Sequence, residues 1–502
     1  MNSMKKIYAI LLLTASLFTT SCSDWLDVAP SNQVNGDKLF EVGDGYRNAL
    51  NGVYLNLGTS SMYGQSISWG FMDVIAQYYQ SGTSYMKSTS SYYKAANYKF
   101  DDSDVKSIIS SIWSVGYNNI ANCNNLIANV SDADASVFAE GELEKNMIWG
   151  EALGLRALIH FDMLRMFAPS MLKDDGKAYI PYVDVYPTIV PSYESNKEIL
   201  NKVIRDLKAA KDLLAKCDIT DEHKHWMSTD NRMLASNSSN NGELAKDVFF
   251  AYRGYRMNYY AVTAMLARVY CWAEEYGEAY KEAKEVVDAN YPTGSTSTAS
   301  CFGFSSSLTT NRKDYNSIIM TFFKSTLYED YLPYMTSGND VVLLVNTTDL
   351  FGDEAGADDR HLDLFGSWDG GDIKYSFKYD IKEGTSGTDM IPAIRLSEMY
   401  YIMGEYFAHN DEFSKAGEML DKVRYARGIS TTNLASSIGS LEVFHTQLIK
   451  EMRREFVGEG QMFFQYKRLD QKPKDNIVFV FDKPNNCLLY TSDAADDRIS
   501  VD

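Results

Sequence analysis

The sequence predicts an all-α-dominated fold in which tetratricopeptide-like helix pairs form a scaffold, long loops join the helices, and β-structure is minor. Three observations point there. Proline is scarce, at 10 in 502 residues, as a helical chain requires. Apolar residues recur at helical spacing in a series of separate segments. Two pairs of those segments share one internal pattern.

Taken in order, residues 43–57 place Tyr46, Leu50, Val53 and Tyr54 on one helical face. Residues 108–130 turn Ile112, Val115, Ile120, Cys123 and Ile127 inward. The strongest periodicity covers 144–167, with Ile148, Ala152, Leu155, Leu158, Ile159, Met163 and Met166, and Pro169 stops it. Ser195, with Glu198 three residues on, has the form of a capping box opening a helix over 197–214. Residues 258–273 and 276–289 pair across a very short turn, as do 394–408 and 412–426, and 441–456 closes the series. In both pairs an aromatic opens the second helix (Tyr276, Phe413) and Ala279 or Ala416 follows. Small residues let helices approach and bulky ones fill the gaps, which is repeat-type packing. The connections 58–107, 215–250 and 290–390 are long and polar, and loops of that length are usually functional.

Both ends of the chain are read apart from the fold. Lys5 and Lys6 precede an apolar run, Ile7 to Phe18, which is too short to span a bilayer and suits a signal peptide over 1–21. Thr19, Thr20 and Ser21 then lead to Cys22, which resembles a bacterial lipobox with Thr19 where Leu is usual. Cys22 is therefore the expected lipidation site, and several acyl chains would anchor the protein firmly. At the other end, TGTCTCTTATACACATCTGACGCTGCCGAC encodes Cys487 to Asp496. That string resembles a transposase adapter, so 487–502 is expected to be foreign to the fold. The remainder, 22–486, reads as one large domain.

The chain carries a net charge of −19, which disfavours nucleic acid and anionic membrane surfaces as partners. Cys123, Cys217, Cys271 and Cys301 show no metal-type spacing; buried thiols or one disulfide both fit them. No nucleophile elbow, HExxH, P-loop or dinucleotide fingerprint has its required context, so no catalytic residue is assigned. His223 and His225 in "DEHKHW" read as a polar loop, and no metal site is assigned. Asp353, Glu354, Asp358 and Asp359 in "FGDEAGADDRH" read as a solvated acidic loop. Their oxygens could hold calcium, but the spacing is not that of an EF-hand. No other cofactor is expected.

Several stretches resemble the SusD/RagB family of outer-membrane nutrient-binding lipoproteins. They are "CSDWLDVAPSNQV", "IWSVGYNNIANCNNLI", "GEALGLRALIHFDMLRMFAP", "IPAIRLSEMYYIMGEYF" and "IKEMRREFVGEGQMFFQYKR". Ala168, Gly404, Met452, Gln461 and Gln465 depart from the family pattern. The resemblance covers about 22–470 and implies a SusD-like helical scaffold, an outer-membrane lipid anchor facing the exterior, and a SusC-like TonB-dependent transporter as partner. Physically, the box charges Arg156, Arg395, Glu398, Arg453, Arg454, Glu455, Glu459 and Arg468 lie on or beside apolar helices. They read as structural ion pairs that fix helix register.

The resemblance also implies a ligand site built from inter-helix loops. The loop after the first helix, residues 68–100, holds Trp69, Asp73, Gln77, Tyr78, Tyr79, Tyr85, Tyr92, Tyr93 and Tyr98. Exposed rings there would stack on sugar faces while Asp and Gln bridge hydroxyls. Tyr315, Phe322, Phe323, Tyr328, Tyr331, Tyr334 and Trp368 form a second candidate set. The expected function is capture of oligosaccharide or polysaccharide for the transporter, without catalysis. A peptide ligand, a secreted glycoside hydrolase and a protein-binding helical scaffold are the alternatives.

Overall fold

The computed structural model describes residues 36–187, 191–234, 245–294, 296–381 and 387–471. The leader, Cys22 and the segment 487–502 lie outside the described residues. The longer helices are α1 (Gly43–Leu57), α2 (Ser103–Asp132), α3 (Gly141–Phe167), α4 (Asn196–Asp218) and α5 (Tyr259–Trp272). They continue as α6 (Tyr276–Val287), α7 (Leu396–His409), α8 (Phe413–Ala426), α9 (Leu441–Glu455) and α10 (Met462–Arg468). Each packs on the next in chain order, so the series forms a continuous stack, with α5–α6 and α7–α8 as the predicted pairs.

The helix starts follow their caps. α2 begins at Ser103 because the Asp102 side chain accepts from the Asp104 N–H at 3.0 Å. The Ser195–Glu198 capping box forms and opens α4. α7 begins at Leu396, two residues later than its periodicity suggests, because Met390–Arg395 is a strand.

The centre of the molecule is α3, held between α2 and α4. From Gly150 to Phe167 every residue is buried, so this helix faces protein all round. Its polar side chains are accordingly paired. Glu151 meets Arg253 at 2.5 Å and Arg256 at 2.9 Å, and Arg156 meets Asp206 at 2.6 Å. The Nδ1 of His160 donates to the Arg156 carbonyl at 2.9 Å, and its Nε2 accepts from the Val183 N–H at 2.9 Å. Those partners fix a neutral tautomer, and burial pushes its pKa down to about 3.

The long connections supply the strands. β1 (Ala178–Pro181) pairs with β2 (Tyr193–Ser195), and β3 (Asn290–Pro292) with β4 (Thr298–Ser300). β5 (Ile318–Phe323) pairs antiparallel with β9 (Met390–Arg395), and both are buried except at Phe323. β6 (Leu344–Asn346), β8 (Ile373–Ser376) and β7 (Phe365–Ser367) form a small sheet in the order β6-β8-β7. The described residues of the stretch 290–390 thus carry strands and short helices rather than open loop. Cys123, Cys217, Cys271 and Cys301 are free, buried thiols.

The charged boxes converge beside α9. Glu455 takes Arg360 at 3.2 Å and Arg427 at 2.5 Å, and also Arg395. Glu451 takes Arg360 at 3.0 Å, Arg424 at 2.8 Å and Arg454 at 3.0 Å. Glu459 takes Lys378 and Arg395, both at 2.7 Å. Elsewhere Glu398 pairs with Arg268 at 2.6 Å and Arg468 with Glu405 at 2.6 Å. These box positions therefore hold elements distant in sequence against one another, except Arg453, which is half-buried and forms no ion pair among the described residues. The predicted solvated acidic loop belongs to this network. Asp358 pairs with Arg360 at 2.7 Å, while Glu354 takes Arg424 at 2.7 Å and Arg454 at 2.6 Å. Burial works against the Glu354 charge, but hydrogen bonds from Arg424, Arg454 and Thr432 hold its pKa down to about 2. Asp353 stays exposed and Asp359 half-buried.

Candidate functional site

The aromatic loop after α1 is not the open set of rings that the sequence predicts. Trp69 (0% exposed), Tyr78 (5%), Tyr79 (3%) and Tyr92 (6%) are core residues, and Asp73 and Gln77 are buried with them. Each has a structural partner. The Asp73 carboxylate accepts the Gly458 N–H at 2.7 Å and the Gly460 N–H at 3.0 Å. Those glycines have φ of +80° and +69°, and a Cβ at Gly460 would stand 2.2 Å from the Ile67 carbonyl oxygen. Asp73 thus closes the tight turn between α9 and α10, and Phe71–Ile75 is the helical turn that delivers it. The Tyr78 hydroxyl donates to the Arg453 carbonyl at 2.9 Å and the Tyr79 hydroxyl to the Trp69 carbonyl at 2.7 Å. Gln77 Nε2 donates to the Ala96 carbonyl at 2.8 Å. Asp73 and Tyr78 dock the loop onto α9 and the turn after it, while Tyr79 and Gln77 brace the loop on itself, so the physical reason for the correction is that these side chains are used to hold the loop closed.

Tyr85, Tyr93 and Tyr98 are half-buried. The Tyr98 hydroxyl donates to the Ile75 carbonyl at 3.1 Å. Tyr85 lies on a seam joining the two aromatic stretches of the sequence. Met86 bridges Val341, the Val342 N–H donates to the Tyr85 carbonyl at 2.8 Å, and the Lys87 N–H donates to the Asp340 carbonyl at 2.8 Å. The Lys87 and Asp340 side chains form an exposed ion pair above it. Below, Tyr92 stacks on half-buried Tyr334 at 5.8 Å, and Trp69 stands edge-on to Tyr331 and Tyr334, at 5.1 Å each. Gln65 Nε2 donates to both hydroxyls, Tyr92 at 3.0 Å and Tyr334 at 2.8 Å. The seam is thus a backbone-paired surface edged by Tyr85, Tyr334, Lys87, Asp340 and exposed Asn339. Tyr328 is half-buried, Tyr331 and Phe322 are buried, and Tyr315 packs against a small separate cluster around Met233.

Two further surfaces include members of the second candidate set, Phe323 and Trp368, together with Tyr252, which the sequence reading missed. Tyr252 (39% exposed) and Phe323 (44%) present open rings near Tyr255, with centroids 6.1 and 6.3 Å from its ring. The dense aromatics of "FFAYRGYRMNYY" were the available signal. Beside half-buried Trp368, a polar cleft of about 370 Å³ is lined by Thr347, Thr348, His361, Ser367, Asp372 and Lys374. Lys374 Nζ lies 2.9 Å from His361 Nε2 there. His223 stacks on Trp226 at 4.0 Å and its Nδ1 lies 3.0 Å from the Cys217 carbonyl oxygen, so this loop histidine is engaged in local packing. No helix among the described residues is long and apolar enough to cross a membrane.

Comparison with known proteins agrees with this architecture. Residues 24–228 match a family described as SusD-like, starch-binding associating with outer membrane, and residues 366–496 match the SusD family. No curated protein matches the chain. A SusD superfamily protein from Bacteroides thetaiotaomicron shares 23% identity and a TM-score of 0.64, covering 86% of this chain and 89% of its own. A putative sugar binding protein from Bacteroides vulgatus shares 22% identity and a TM-score of 0.64, covering 86% and 87%. A SusD-like carbohydrate binding protein from the same species shares 18% identity and a TM-score of 0.60, covering 86% and 84%. With the helical stack, the charged boxes around α9 and both family matches in agreement, the chain belongs to the SusD/RagB family.

Proposed function

We propose that the protein is a lipid-anchored, exterior-facing outer-membrane protein that binds oligosaccharide without cleaving it and hands it to a SusC-like TonB-dependent transporter. The observation that carries the binding reading is the seam between residues 85–87 and 334–342, where two aromatic stretches converge on a rigid scaffold. Tyr334, held by Trp69, Tyr92 and Gln65, loses little freedom on binding, and the apolar faces of Tyr334 and Tyr85 suit sugar rings while Lys87, Asp340 and Asn339 suit hydroxyls. A one-sided surface of this kind binds weakly, roughly micromolar to millimolar, and several contacts along a polymer add avidity.

A glycan array on the soluble chain identifies the ligand. The triple variant Tyr85→Ala, Lys87→Ala, Asp340→Ala then tests the site. It spares the core, because an exposed ion pair contributes little stability. We expect at least a tenfold loss of affinity with an unchanged helical spectrum. Undiminished binding would remove the seam from consideration, and a Tyr252→Ala, Phe323→Ala variant would show whether the second aromatic surface holds the ligand instead. A chain that ignores every glycan and binds peptides would overturn the carbohydrate reading.

The anchor has its own test. Cys22→Ser should move the protein from the membrane fraction to the soluble one. Retention on the membrane with unaltered processing would show that Cys22 is not the lipidated residue.

A further inference from the structure

One cluster of ligating side chains lies outside the candidate ligand surfaces and shares only Glu405 with the ion pairs described above. Glu405 and His409 sit four residues apart on α7 and so share one face, and His445 comes from α9. A donor atom from each of the three lies within 4.8 Å of the other two. We propose that Glu405, His409 and His445 form a binding site for a borderline divalent transition-metal ion, Zn2+ foremost, that clips α7 to α9.

The donors already stand close to what such an ion needs. Tetrahedral zinc with bonds of about 2.0–2.1 Å sets its ligands somewhat over 3 Å apart, so modest side-chain rotations would close the site. The Nε2 of His445 is buried and has no hydrogen-bond partner among the described residues, a cost that a metal bond would remove. The other groups are held in place from behind, as ligands of a metal site usually are. The His409 ring stacks on Tyr276 at 3.8 Å, with the planes 16° apart. The Glu405 carboxylate is gripped by Arg468 at 2.6 and 2.7 Å. Two carboxylate oxygens offer about four lone-pair positions, so the Arg468 fork leaves room for one more bond.

The donor set selects the ion. Two imidazoles and one carboxylate suit Zn2+, Ni2+ or Co2+, whereas calcium and magnesium require more oxygen. His409 is exposed, which gives an entry path and a place for water as fourth ligand. The Arg468 guanidinium works against a second cation nearby, so moderate affinity is expected. Sequence spacing did not show the site, because residues 405, 409 and 445 meet only when α9 packs on α7.

The test is a Zn2+ titration of the purified chain, followed by calorimetry and thermal melting. The parent should bind a single equivalent through this cluster and melt at least about 2 °C higher with excess Zn2+. Cobalt in its place should give a visible d–d band of imidazole-ligated, low-coordinate metal. The double variant His409→Ala, His445→Ala should lose the equivalent, the shift and the band. His409→Ala alone alters an exposed residue, keeps the fold, and should weaken binding at least tenfold. A parent that binds no equivalent, or a His409→Ala variant that binds and shifts as the parent does, would overturn the proposal.

Discussion

Glu455→Ala should lower the stability of the folded chain by about 3–5 kcal/mol, the usual loss when one partner of a buried ion pair is removed. Glu455 is 2% exposed and its carboxylate serves Arg360, Arg395 and Arg427 together. Deleting it leaves three guanidiniums buried with fewer anions. Arg360 keeps Asp358 and Glu451, Arg395 keeps Glu459, and Arg427 keeps Asp314. Those remaining pairs set the lower end of the range. Glu455→Gln, which keeps the shape and removes the charge, should also destabilise. Asp340→Ala, which breaks the exposed pair with Lys87, should change stability by no more than about 0.5 kcal/mol. Chemical denaturation of the three variants ranks them directly. A loss under about 1 kcal/mol for Glu455→Ala would mean that the network tolerates vacancies and does not fix the register of α9.

The helices and the structural role of the charged boxes were legible because both are written locally. Periodicity marks a helix within its own segment, and Ser195 with Glu198 marks its start within four residues. Exposure of the aromatic loop was not legible, because its partners are remote. Asp73 and Gly460 are 387 residues apart, and no pattern near either one announces the other. The acidic loop fails for the same reason: Glu354 reads as solvated until Arg424 and Arg454 are brought to it. A tyrosine is a poor indicator of surface in such a chain. Its ring joins the core while its hydroxyl finds a carbonyl, as Tyr78 and Tyr79 do.

That difference separates structural rings from ligand-binding rings by experiment. Trp69→Ala should cost about 3–5 kcal/mol, the range for truncating a large buried aromatic. Trp69 is fully buried and its ring supports both Tyr331 and Tyr334, so the cavity would open directly beneath the seam. Tyr78→Ala and Tyr79→Ala should each be costly as well, since each truncates a buried ring and deprives a backbone carbonyl, fully buried in the case of Tyr79, of its hydroxyl donor. In these variants glycan binding should fall in step with the folded fraction, so that affinity recovers wherever folding is restored by cooling or a stabilising osmolyte. Tyr85→Ala should behave in the opposite way, with a melting temperature near that of the parent and weaker binding at every temperature. Thermal melts and glycan titrations on the same samples distinguish the two. A Trp69→Ala protein that melts like the parent yet loses its glycan would return Trp69 from the core to the ligand site, and the seam would then have to open on binding.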